Sequence, residues 1–170
     1  MDVVSTPPGA SRQRLAQTVM QELRALSTAQ DRLDQYAMHR FGINRTDLRA
    51  LDLIGQAGVI SPTALAVALG MSTGATSTVL DRLEAADYAR REPDPGHRRR
   101  TLVRQTPRAE ELGEAIFAPV ISGTLNDAAT YPDAALVSIA EFLSAHTALL
   151  NRYLAAVSPA AGNAEKAADR

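Results

Sequence analysis

The segment from Ser61 to Thr106 constrains the fold more than any other part of the chain. Ser61-Pro62 sets a hydroxyl cap before a proline, whose missing N–H is harmless at the first position of a helix. Leu65, Ala66 and Leu69 follow at helical spacing, and Gly70 ends the run. Ser72, two residues on, is a second cap, so only a tight turn fits between the two helices. The next helix, about Thr73 to Ala86, has two unlike halves. Thr73-Gly74-Ala75-Thr76-Ser77-Thr78 is small and polar, whereas Val79-Leu80-Asp81-Arg82-Leu83-Glu84 carries the apolar residues that pack.

Tyr88 to Glu92 then suits a short strand, Pro93-Asp94-Pro95-Gly96-His97 a turn, and Arg100 to Gln105 the returning strand. Two capped helices followed by an arginine-dense hairpin make a winged helix-turn-helix. The expected fold class is mainly α with a small antiparallel β-hairpin, flanked by long helices at both ends. One long helix is expected within 11–42, where Leu15, Val19, Leu23, Leu26, Leu33, Tyr36 and Ala37 recur and Gly42 is the stop. Asn44 and Asp47 have the spacing of a reciprocal cap for the helix that carries Leu48, Leu51 and Ile54. The winged region spans 43–106. After Thr106-Pro107, residues 107–157 are read as two further helices, with Pro119 a kink point and Tyr131-Pro132-Asp133 opening the second. Residues 1–10 read as a flexible start and 158–170 as a disordered tail.

Terminal helices with such stripes have more apolar face than one small winged helix can cover, so pairing of two copies through them is expected. Intrachain packing of the two ends is the plainer alternative, and both can hold.

Composition excludes several chemistries. The chain has no Cys, so disulfides, thiolate catalysis and cysteine zinc sites are ruled out. His39, His97 and His146 are far apart and read as ordinary surface or interface residues, without a metal-ligand spacing. Phosphate-loop and nucleophile-elbow motifs are absent, no catalytic carboxylate pair stands out, and no cofactor is expected. The reading is therefore not an enzyme. No basic start with an apolar run resembles a signal peptide, and no apolar stretch is read as approaching the roughly 20 residues of a membrane span. A soluble cytoplasmic protein without a membrane partner is expected.

The formal net charge is −1, yet Arg90 to Arg108 holds seven Arg against Glu92 and Asp94. Beside a helix-turn-helix pattern, this local excess points to double-stranded DNA. The second helix of such a motif enters the major groove by its N-terminal end, where short polar side chains and exposed N–H groups are useful. Ser72, Thr73, Thr76 and Ser77 are the candidates for phosphate or base contact, and a Thr methyl suits a thymine methyl. The plainer reading of Ser72 is an ordinary cap. That half of the helix lacks Arg, Asn and Gln, so specificity leans on DNA shape. Arg98 or Arg99 is the candidate for insertion into a narrow minor groove, with Asp94 expected to hold one of them by a charge-assisted hydrogen bond and Gly96 supporting the hairpin tip. Arg100 and Arg104 read as a solvated strand face.

Leu80-Asp81-Arg82-Leu83-Glu84, the hairpin Arg90 to Arg99, and Leu102-Val103 with Thr106-Pro107 together resemble MarR-type transcriptional regulators. The flanking helices agree in number and order. The resemblance implies a homodimer with a triangular outline, paired through the first and last two helices. It implies a pseudo-palindromic operator, commonly repressed and released by a small phenolic or lipophilic effector. Tyr36, His39, Arg40 and Phe117 are candidates to line the effector cavity, although Tyr36 and Phe117 read more simply as core. The chain departs from the pattern at His97, where a second acid is frequent, at Asp87, where Gly is usual, and at Ala109. Asp tolerates a left-handed backbone better than most residues, which keeps the turn at Asp87 intact. The alternative function is a protein-interaction module that uses the winged helix without binding DNA.

Overall fold

The computed structural model describes residues 10–157, without the side chains of Ala10, Arg98 and Arg99. Apart from Ala10, the expected flexible start and the expected disordered tail lie outside the described residues. The element order is α1 (Ala10–Phe41), α2 (Arg45–Ala57), α3 (Pro62–Leu69), α4 (Thr73–Ala85), β1 (Ala89–Asp94), β2 (His97–Gln105), α5 (Pro107–Ala128) and α6 (Asp133–Val157). The chain divides into two compact units between Ala118 and Pro119, within α5.

In the first unit the helix ends follow the caps. Asn44 Oδ1 accepts the Asp47 N–H at 3.0 Å, and Asn44 Nδ2 returns a bond to Asp47 Oδ2 at 2.8 Å. Ser61 and Ser72 each accept an amide three residues on, both at 3.2 Å. Gly70 takes a left-handed conformation and ends α3. Asp87 is the one non-glycine residue with positive φ among the described residues, at 59°. Its carbonyl accepts the Thr106 hydroxyl at 2.7 Å, which ties the two ends of the hairpin together.

Leu51 and Ile54 of α2, Leu65 of α3, Val79, Leu80 and Leu83 of α4 and Val103 of β2 form the core, joined by Ala37 and Phe41 of α1 and Ile116 of α5. Full burial of each large aliphatic side chain is worth about 1.5–3 kcal/mol. Val103 also exchanges backbone bonds with Ile60 (2.8 and 3.0 Å), so the segment before α3 lies against the hairpin.

The hairpin is longer than the sequence reading expects. β1 pairs antiparallel with β2 from Ala89↔Gln105 to Pro93↔Thr101, and after a register shift the pair Asp94↔His97 leaves only Pro95-Gly96 at the tip. Asp94 Oδ1 accepts the Gly96 N–H at 2.8 Å and closes that turn.

In the second unit α5 continues through Pro119 to Ala128, and α6 follows. α6 has no buried residue: Ile139, Phe142, Leu143, Leu150 and Leu154 are all exposed. By length and composition alone, α6 is apolar enough to cross a membrane. This corrects the reading that no stretch approaches that length. Ala and Ser between the larger residues hid a helix whose only acid after Asp133 is Glu141. On α1, Leu15, Val19, Met20 and Leu26 are likewise exposed.

Candidate nucleic-acid interface

α4 turns its apolar half inward and leaves Ser72, Thr73, Gly74, Ala75, Ser77 and Thr78 exposed. Two arginine clamps hold it, one from each side. On the α2 side, Arg82 Nε and Nη2 bond Asp47 Oδ2 and Oδ1 at 3.0 and 2.5 Å. The Asp47 side chain is 3% exposed and that of Arg82 45%. The hydrogen bond to Asp47 holds the Arg82 guanidinium above the ordinary arginine range, against the opposing pull of burial.

On the hairpin side, Arg91 of β1 reaches across to α4. Its Nη1 pairs with Asp81 Oδ1 at 2.8 Å and with Glu84 Oε2, and its Nη2 bonds the Ser77 carbonyl at 3.1 Å and Oγ at 3.3 Å. Glu84 Oε1 also accepts the Arg91 N–H at 2.8 Å. A planar guanidinium with several fixed donors suits this multiple bridging, which an ammonium would not reproduce. The clamp fixes the base of the hairpin to the middle of α4.

Of the expected contact residues, the structure leaves Ser72, Thr73 and Ser77 on the exposed surface of α4. Thr76 is a correction. It is 1% exposed, and its hydroxyl donates to the Ser72 carbonyl at 3.0 Å. Thr76 stands three residues before Val79 and four before Leu80, so it shares their buried face. Asp94 and Gly96 meet at the hairpin tip. Asp94 Oδ2 lies 3.8 Å from His97 Nδ1, across the two-residue tip. Arg98 and Arg99 lie on β2 beside the tip, and the expected bond from Asp94 to either falls on side chains outside the described residues.

The arginine cluster is less uniform than its sequence suggests. Glu92 pairs with Arg90 Nε at 2.7 Å and Arg104 Nε at 2.9 Å. With Arg91 engaged on α4, three of the five arginines whose side chains are described are matched by acids of the protein itself. Arg108 lies over the Tyr88 ring, 5.3 Å from its centroid. Arg100 is exposed, as its reading as a solvated strand residue expects.

A cleft of about 670 Å³ opens between the start of α2 and α4, with Arg45 on one side and Met71, Ala75, Thr78, Val79 and Arg82 on the other. Tyr36, His39, Arg40 and Phe117 do not line it. Tyr36 and His39 are exposed, Arg40 Nη1 donates to Tyr36 Oη at 2.7 Å, and Phe117 is half-buried against the core. The Asp47–Arg82 pair is not legible in the sequence, because 35 residues separate the partners. The Arg91 clamp has a faint signal, an Asp and a Glu three apart on one helix face opposite a strand arginine.

A capped helix-turn-helix locked to a basic hairpin invites comparison with known regulators. The family model described as the MarR family matches residues 41–100. The Bacillus subtilis strain 168 protein described as uncharacterized HTH-type transcriptional regulator YcgE is 32% identical over 133 residues, which span 78% of this chain and 86% of that one. The chain belongs to the MarR family. This is a family of transcriptional regulators, not of enzymes. Among solved structures, Escherichia coli MarR in its apo form is 25% identical, covers 84% of this chain and 98% of its own, and superposes with a TM-score of 0.50. Streptococcus pneumoniae FabT, in complex with DNA, is 16% identical, covers 81% and 99%, and has a TM-score of 0.61, a likeness of fold.

Proposed function

We propose that this MarR-family regulator is a homodimeric repressor that binds a pseudo-palindromic operator and leaves it when a small lipophilic or phenolic ligand binds. The exposed start of α4 enters the major groove, and the tip of the hairpin brings Arg98 or Arg99 to the adjacent minor groove. The observation that carries this reading is the Arg91 clamp, which joins the exposed face of α4 to the hairpin so that both act as one surface. The DNA complex of FabT, a protein of the same fold, supports it. The exposed apolar residues of α1 and α6 support a second copy as their cover, and pairing about a two-fold axis sets the two α4 helices about one DNA turn apart, roughly 34–36 Å. A DNA-bound role fits a cytoplasmic protein.

The test is fluorescence anisotropy with duplexes selected from a random pool, over a range of salt. Arg98→Ala and Arg99→Ala should each weaken binding, most for A·T-flanked sites, and lower the salt slope by about one per lost phosphate contact. A protein that selects no duplex at any salt, or variants that bind as wild type does, would reject the assignment.

A further inference from the structure

The hydroxyls of α4 are largely engaged before any DNA arrives. Ser72 Oγ accepts the Ala75 N–H, Thr76 Oγ1 is buried on the Ser72 carbonyl, and Ser77 Oγ accepts from Arg91 Nη2. Thr78 Oγ1 donates back to the Gly74 carbonyl at 3.3 Å. At Ala75 and Thr78, both exposed, a methyl is available to a partner, while the Thr78 hydroxyl keeps acceptor capacity only. Both residues line the cleft beside α2, where Met71 and the buried Val79 continue the apolar surface.

Arg82 and Arg45 border that cleft, each paired with one acid of the protein. The bonds of Arg82 to Asp47 use Nε and Nη2, so Nη1 keeps its donors. Arg45 spends Nη1 on Asp31 at 3.3 Å, an exposed pair in which both side chains are more than half accessible. Such a pair is weak and yields readily to a phosphate. An apolar floor beside two guanidinium groups matches the edge of a DNA strand, where a thymine C5-methyl lies inside a rail of phosphates. A small organic anion would use the rim but has no need of a continuous wall along α4.

We propose that Thr78 and Ala75 determine specificity by contact with thymine methyl groups, while Arg82 and Arg45 hold the flanking phosphates. The inference rests on the DNA-binding reading above. It means that the operator is read on its major-groove side by carbon surface rather than by bidentate hydrogen bonds to purines.

The experiment starts from duplexes selected by the wild-type protein. Each thymine of the selected half-site is replaced in turn by deoxyuridine, which removes only the methyl. At a contacted position the affinity should fall about fourfold, the worth of one buried methyl group, with the salt slope unchanged. Thr78→Val should keep the preference for thymine over uracil, and Thr78→Ser should bring it close to one. Thr78 is exposed, so both variants should fold as wild type, which circular dichroism checks. Equal binding of thymine and uracil duplexes by the wild type would overturn the proposal. So would the reverse order, with Thr78→Ser keeping the preference and Thr78→Val losing it, since that assigns the reading to the hydroxyl. Benzoate that shifts the Thr78 amide resonance, with thymine and uracil duplexes bound alike, would give the cleft to a small anion. Failure to select any duplex is a different result and removes the DNA-binding reading itself.

Discussion

At the scale of single residues, Thr76 shows how a polar residue type misleads. Its hydroxyl supports the turn above it and its methyl packs inward, so it acts on stability rather than on recognition. Thr76→Val should leave operator affinity unchanged, whereas Thr76→Ala should cost about 1 kcal/mol in urea unfolding, for lost packing and a lost backbone bond. Arg82→Ala would leave the buried Asp47 carboxylate with Asn44 as its remaining side-chain partner. The half-exposed guanidinium discounts the full cost of breaking a buried pair, so about 2 kcal/mol is expected from the same measurement. Because the pKa of Arg82 is raised in the folded state, its contribution is present throughout the neutral range and lost only as pH rises beyond that of ordinary arginine. The part of the destabilisation due to Arg82 should thus be the same at pH 6 and pH 9. Caps, glycine stops and the left-handed Asp87 were legible because each is a local decision between neighbours. Asp47 was legible only as a cap, since nothing local reveals a partner on another helix.

At the scale of elements, the hairpin depends on Arg91. Arg91→Ala should loosen β1 and β2 and lower stability by about 1–2 kcal/mol. Arg91→Lys should recover little, because one ammonium cannot bridge Asp81, Glu84 and the Ser77 carbonyl. Hydrogen exchange of the β1 and β2 amides checks both, with faster exchange expected in the hairpin and little change in α2. The helix-turn-helix itself was readable because strong apolar spacing and caps agree there. The hairpin was readable in place but not in length, since the register shift after Pro93 and the Asp94–Gly96 bond decide how far pairing continues. The charge excess was readable in sum, yet its division into protein-bound and outward arginines depends on which face each alternate strand residue occupies.

At the scale of the whole molecule, the proposed dimer and the proposed DNA contact are linked. Leu150→Arg on α6 should shift sedimentation toward the monomer and reduce operator affinity by at least tenfold, while the winged region keeps its helical signal. α6 was the least legible element as to its role. Its length and apolar composition suit a membrane span and a dimer interface alike, and the proposal of a dimer rests on its place in a regulator. Tyr88 offers a different connection. Its hydroxyl donates to the Phe41 carbonyl at 2.8 Å, its ring meets that of Phe41 edge-on with centroids 5.0 Å apart, and it directly precedes β1. The last turn of α1 and the root of the hairpin thus share one rigid joint. The Arg91 clamp carries that contact on to α4, so the end of α1, the hairpin and α4 are joined in series.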